Sequence, residues 1–504
     1  MKKKILISGL TIISFIVILY LCIGFREKKD FNELKDKIAM EREEHRNTKS
    51  ELKPEYLDWF QEGEDDFSEE EILEVIDYEK NYYKDSLIFR NTNTGDNNKS
   101  ISVEEAIDDV NQLFKYFRYC YGGYGYFGGD TVFNEAKGKI IKDIKDNNSI
   151  KTSELKRLLE KNLSFILDGH LKFETDSSHV NYTDERFNYL YVYDEEIYRD
   201  NNGYYKVNNK DKYYIKAINE EEAFEKYIYP SIDNDGKIIF KIADLDNYSS
   251  DSHKQLHILY KFNDEEYSED ATLICSQPMN QDYSKNFELN TEENIPVIKI
   301  NMFSISSEAD ASLEDFASSA IDLKNEKAII MDLRGNLGGR ADSGETWIEN
   351  YTGTKVTNRG AFQYVNSSIM KKVKEELYSN NTDFPTFAYN KFIGEIGEKI
   401  DNDNYIFVLM DKYTCSAAEL FIEDLMELDN IILVGTNTYG ATLCLDLNHY
   451  DLRNSNIDAS FGNRLYLSPY SEHFDCNGFM PDILVDSNSS LDKVKKLIKY
   501  YKLN

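Results

Sequence analysis

The pattern of apolar and polar positions divides the chain into segments of different character. Behind Lys2, Lys3 and Lys4 stands an almost unbroken apolar run from Ile5 to Phe25. At 1.5 Å per residue its 21 residues cover roughly 30 Å, the thickness of a bilayer core, and predict a membrane anchor over residues 1–25. Residues 26–95 carry short charged runs such as Glu69-Glu70-Glu71 with little sustained apolar period, which predicts a helical or partly ordered stalk. In residues 96–178 the pattern turns helical. Val103, Ala106, Ile107, Val110, Leu113 and Phe114 recur at three- and four-residue spacing behind a capping box of Ser102 and Glu105. A second helical stretch, Ser153 to Leu167, leads into Asp168-Gly169-His170. Residues 179–292 are rich in Tyr and β-branched residues and broken by turns such as Asp233-Asn234-Asp235-Gly236, which predicts a β-rich insert.

From 293 to 504 strands and helices alternate. Pro296–Met302, Ala328–Leu333, Tyr405–Met410 and Ile431–Val434 are buried-strand patterns, and Ala417, Leu420, Phe421, Leu425 and Leu428 share one helical face. Such alternation predicts an α/β layer with a largely parallel sheet, whose chemistry collects in loops at the carboxyl ends of the strands.

Composition narrows the function classes. With 59 basic against 91 acidic residues the net charge is −32, a surface that repels phosphate backbones, and nucleic acid is excluded as a partner. The six cysteines form no CxxC pair and no Cys/His spacing suited to zinc, so neither a metal nor another cofactor is implied. The apolar run ends without a small-x-small cleavage site, and the basic residues before it favour a cytoplasmic N-terminus. The expectation is a single-pass cell-membrane protein with its bulk outside the cytoplasm.

Two strand-end loops carry candidate chemistry. Ser416 stands between the strand Tyr405–Met410 and the helix that follows, where unpaired N–H groups and the dipole would stabilise an oxyanion beside the Ala417 N–H. An ordinary N-cap serine occupies the same position. The loop Gly335-Asn336-Leu337-Gly338-Gly339 permits close backbone approach to a ligand, or simply makes a tight turn.

Taken in order, four blocks resemble the signature of the S41 serine peptidases, the family of the C-terminal processing peptidases and the tricorn core. They are Asp332-Leu-Arg-Gly-Asn-Leu-Gly-Gly339, Thr414-Cys-Ser-Ala-Ala-Glu419, Val434-Gly-Thr-Asn-Thr-Tyr-Gly440 and Gly478-Phe-Met-Pro-Asp482. The likeness covers residues 295–490 well and 100–175 weakly. It implies a crotonase-like α/β catalytic core with an N-terminal helical subdomain, a PDZ-like place for the insert, and hydrolysis of protein or peptide substrates. Ser416 is the implied nucleophile. The position where one branch carries a lysine base holds Ala441, which cannot accept a proton. The tricorn-like branch uses a histidine instead, which points to His170, with His449 and His473 as rivals. The resemblance further implies Asp475 as the acid behind the base, with Asp168 an open alternative, and Gly338 and Ala417 N–H groups as oxyanion donors. Gly169 stands where that branch has a relay serine. An S41-like fold that has lost catalysis and only binds peptide is the alternative.

Overall fold

The computed structural model describes residues 30–44, 53, 67–68, 73, 99–175, 186–247, 253–279, 284–303, 307–356, 360–365, 367–378, 392–393, 399–468, 470 and 475–504. The apolar run Ile5–Phe25 and His473 lie outside them. Among the described residues no helix is long and apolar enough to cross a membrane.

A six-stranded sheet forms the centre. Its order is Phe287–Glu292, Ile295–Ile300, Ala328–Asp332, Tyr405–Met410, Ile431–Gly435 and Ile483–Leu484. The first pair is antiparallel and the remaining pairs are parallel. The inner strands Ala328–Asp332, Tyr405–Met410 and Ile431–Gly435 read as nearly continuous apolar runs because both faces are covered. Ile298, Ile329, Met331, Ile406 and Val408 face the helices Ser307–Leu323, Asp342–Thr352 and Ala417–Leu425. Their neighbours Val297, Ala328, Ile330, Phe407 and Leu409 face the opposite side, where the helix Ser490–Tyr501 packs.

Part of the charged segment read as a stalk also covers that side. Residues 30–44 are helical, and Phe31, Leu34, Ile38 and Arg42 recur at i, i+3, i+7 and i+11, which sets them on one face. The three apolar residues join the core beneath the sheet. Phe31 stacks on Tyr501 at 5.2 Å and meets Tyr405 edge-on at 5.6 Å. Arg42 closes the contact by pairing with Asp482 at 2.6 Å.

The helices Val103–Cys120, Gly129–Lys145 and Thr152–Asn162 do not form a core of their own. They share one with the strands Cys444–Asp451 and Asp458–Leu467, through Phe117, Tyr121, Tyr450 and Phe461 among others. The capping box is present: Glu105 N–H donates to Ser102 Oγ, and Ser102 N–H to the Glu105 carboxylate. After the third helix the strand Lys172–Glu174 pairs antiparallel with Asp458–Ser460, which fixes His170 just outside the sheet.

The insert is an eight-stranded antiparallel sheet, ordered Tyr198–Asp200, Gly203–Asn208, Asp211–Ile218, His253–Phe262, Glu265–Cys275, Asn188–Val192, Ile238–Asn247 and Ile228–Ile232. A bridge between Ile197 and Phe240 turns it back on itself. Between its third and last strands the insert has one 3-10 turn, Glu225–Tyr227. The positive φ of Asn219 and Glu220 (49° and 66°) makes a tight turn there, closed by Glu221 N–H donating to the Ile218 carbonyl. Among its described residues the insert that the resemblance reads as PDZ-like has no α-helix.

Candidate active site

The strand Tyr405–Met410 and the helix Ala417–Leu425 are joined by a turn whose polar groups are closely specified. Asp411 N–H donates to Thr414 Oγ1, and the Thr414 hydroxyl donates to the Leu333 carbonyl at 2.9 Å. Cys415 N–H donates to the Asn336 carbonyl at 2.9 Å, which ties the turn to the glycine loop. Ser416 then adopts φ 56° and ψ −118°. An ordinary N-cap is extended, so this residue is held in a sparsely populated backbone region. Glu419 sustains it. The carboxylate accepts N–H bonds from Ser416 (2.9 Å), Gly440 (2.7 Å) and Ala441 (2.9 Å), and the Thr438 hydroxyl at 2.5 Å. Burial raises its pKa, and these hydrogen bonds oppose the rise. Sequence reasoning passed over Glu419, although Ser-x-x-Glu is the spacing of a capping box.

The imidazole of His170 reaches this turn: Nε2 lies 3.1 Å from Ser416 Oγ. Two buried carboxylates hold the backbone on which it sits. Asp168 accepts His170 N–H at 2.8 Å and the Tyr121 hydroxyl at 2.8 Å. Asp475 accepts Gly169 N–H at 2.9 Å, Thr442 N–H at 2.8 Å and Leu443 N–H at 2.9 Å. Neither carboxylate bonds the ring, so the expected acid–imidazole contact of Asp475 is absent, and among the described residues the buried Nδ1 has no partner at full hydrogen-bond geometry. Burial lowers the His170 pKa. Asp168 raises it, Lys172 lowers it, and the Cys444 backbone carbonyl and Asp446 raise it. Of the rival histidines, His449 pairs through Nδ1 with Asp458 at 2.8 Å.

Packing explains why the relay serine is missing. A Cβ on Gly169 would lie 2.1 Å from the Gly440 carbonyl oxygen and 2.7 Å from the Ala441 methyl. The space that a longer residue at 441 would need is filled by the turn that carries His170.

The two backbone donors differ. Ala417 opens the helix, so its N–H has no preceding helical carbonyl to bind. Gly338, at φ +90°, lies so close that a Cβ there would be 2.8 Å from Ser416 Cβ and 2.9 Å from Ala417 N. Its N–H, expected to face an oxyanion, instead donates to Asn336 Oδ1 at 2.9 Å, because Asn336 folds back over its own loop while its amide donates to the Ile300 carbonyl.

Residues 294–485 match the sequence model of peptidase family S41. This core is an S41 domain. The family makes it one of the serine-type peptidases. Among solved structures the chain is similar to mature CPAF in complex with lactacystin, at 13% identity over 80% of this chain and 99% of that one, with a TM-score of 0.43. It is similar to a putative peptidase from Parabacteroides merdae at 13% identity, over 80% and 97% of the two chains, with a TM-score of 0.39. The photosystem II D1 C-terminal processing protease shares 12% identity over 78% and 97%, with a TM-score of 0.34.

Proposed function

We propose that this protein is a membrane-anchored, extracytoplasmic serine endopeptidase in which His170 activates Ser416. The observation that carries the reading is the 3.1 Å approach of His170 Nε2 to Ser416 Oγ. A neutral ring protonated at Nδ1 presents its Nε2 lone pair to the hydroxyl. As Oγ attacks a peptide carbonyl, Nε2 takes its proton and later delivers it to the leaving amine. The oxyanion develops beside the Ala417 N–H at the helix start, with Gly338 as second donor once its N–H turns from Asn336. Asp475 and Asp168 act through the backbone, fixing the turn that aims the ring.

The core is read as crotonase-like, and the insert as a module bordering the substrate cleft, since its Tyr189, Tyr191 and Cys275 pack with Tyr439, Ala441 and Cys476. The anchor rests on the run Ile5–Phe25. Protease added to intact cells is expected to remove the soluble domain, and complete protection would refute the topology.

Covalent labelling by a fluorophosphonate tests the chemistry. The parent is expected to label and Ser416→Ala to lose the label while staying folded. The engaged Gly338 N–H favours a second reading, an S41 fold that binds peptide without cleaving it. A parent that never labels supports that one.

A further inference from the structure

Four residues before Ser416, Lys412 is only 1% exposed, next to the buried Asp411 at the end of the strand Tyr405–Met410. Its Nζ donates to three backbone carbonyls, Thr438 at 3.0 Å, Tyr439 at 3.1 Å and Cys476 at 3.4 Å. Three aromatic faces surround it: Tyr189 at 5.1 Å, Phe187 at 5.5 Å and Tyr439 at 5.8 Å from ring centroids. Phe187 and Tyr189 belong to the insert, whereas Tyr439 and Cys476 belong to the S41 core. The ammonium thus sits where insert, nucleophile turn and the 438–441 segment meet. That segment backs Gly169, since the Gly440 carbonyl and the Ala441 methyl press against it. Lys412 does not serve as the base: its donors point at carbonyls, and Ser416 Oγ faces His170.

We propose that Lys412 is a positioning residue that clamps the insert to the segment behind His170, so that the catalytic geometry depends on its charge. The proposal deepens the peptidase reading and rests on it for its kinetic consequence. An ammonium has three donors, one for each carbonyl, and its charge attracts the three ring faces. A neutral amine has two donors and a lone pair, so one carbonyl loses its partner and the attraction to the rings disappears. The segment that braces His170 then loosens.

The surroundings favour a change of charge in an accessible range. Burial lowers the Lys412 pKa to about 8, against the opposing pull of Glu419. Cys476, Cys415 and Cys275 also face it, with burial pushing the Cys415 thiol up and that of Cys275 up to about 11, and Glu419 is the largest of the counter-charges. Lys172 lies on Tyr439, with its Nζ 5.4 Å from the ring centroid. The signs for activity and stability are opposite. A lysine whose pKa is lower folded than unfolded costs stability while charged, and the cost is relieved as pH rises from about 8 toward the ordinary lysine value near 10.4. Loss of turnover through this group therefore occurs without unfolding.

The test compares parent and Lys412→Met by pH-dependent kinetics on a peptide substrate and by hydrogen-exchange protection of residues 187–191 and 436–443. In the parent, turnover is expected to fall above pH 8 while the folded signal persists, with protection of both segments falling over the same range. In Lys412→Met, turnover at pH 7 is expected to be lower by roughly a hundredfold with KM little changed, the limb near pH 8 absent, and protection already low. A variant with parental turnover and the parental alkaline limb overturns the proposal, as does unchanged protection in both segments. If Lys412→Met does not fold, Tyr189→Leu decides: removing a ring face disfavours the ammonium and should move the limb to lower pH, and an unmoved limb overturns the proposal. A parent that cleaves no peptide refutes the peptidase reading, and the exchange measurement still judges Lys412.

Discussion

The carboxylate of Asp475 accepts the N–H of Gly169 at 2.9 Å and does not touch the imidazole of His170, one residue further on. Burial and the neighbouring Asp168 raise its pKa well above the usual carboxylate value, and the N–H groups of Gly169 and Thr442 act against that rise. Asp475 joins the turn 168–170 to the segment 442–443.

Asp475→Asn replaces one accepting oxygen by an amide that donates, so one of the three N–H groups meets a donor. Turnover is expected to fall by roughly a hundredfold, the cost of a base displaced by about 1 Å, while the acid limb of the pH profile stays in place. A shift of that limb by the substitution would show that Asp475 acts on the ring after all.

The strand–turn–helix that carries Ser416 and the parallel sheet were legible in the sequence because each is a local pattern: buried strand, glycine or serine loop, amphipathic helix. The resemblance pointed to His170, and the structure brings its ring to Ser416 from 246 residues away. What escaped was set by three-dimensional packing. The helix at 30–44 hides its three apolar contacts among charges, and only the sheet face it covers gives them meaning. The hydrogen-bond direction of Asp475 and the engagement of Gly338 by Asn336 depend on where backbone N–H groups point, which residue identity does not specify. Lys412 is polar in type and wholly buried, against the usual preference of lysine.

Gly169→Ser would supply the hydroxyl that relatives of the tricorn type are expected to place before the histidine. Here it is expected to damage the enzyme. Its Cβ would sit 2.1 Å from the Gly440 oxygen, in backbone that nothing flexible can vacate. Fluorophosphonate labelling is expected to slow by at least roughly a hundredfold. Labelling faster than the parent would mean that the turn has more room than described.

The helix at 30–44 is expected to contribute to the stability of the whole domain. Phe31, 2% exposed, lies between Tyr405 and Tyr501, and Phe31→Ala should cost about 3 kcal/mol through lost burial and the cavity left behind. Chemical denaturation of residues 30–504 measures this. A stability change below about 0.5 kcal/mol, the range of ordinary surface substitutions, would show that the helix is not docked in solution.

The acid side of the pH profile follows from the surroundings of His170. Burial penalises the imidazolium, and Lys172 acts in the same direction; Asp168, Asp446 and the Cys444 carbonyl act against them, and the net shift is downward. Because the base works only when neutral, kcat/KM is expected to rise through an apparent pKa below the ordinary histidine value of about 6.5 and to be at its plateau by pH 7. The stability sign agrees: a histidine whose folded pKa is depressed costs stability while charged, so its contribution improves as pH rises from the folded pKa to about 6.5. Lys172→Gln removes a nearby positive charge and should move the acid limb upward, while leaving the alkaline limb of Lys412 in place. His170→Ala should cost several orders of magnitude in turnover, and His449→Ala little. Measuring kcat/KM from pH 4.5 to 9 for the parent and these three variants decides the matter. An acid limb above pH 7 in the parent, or one indifferent to Lys172, would show that the titrating group is not the buried imidazole beside Ser416.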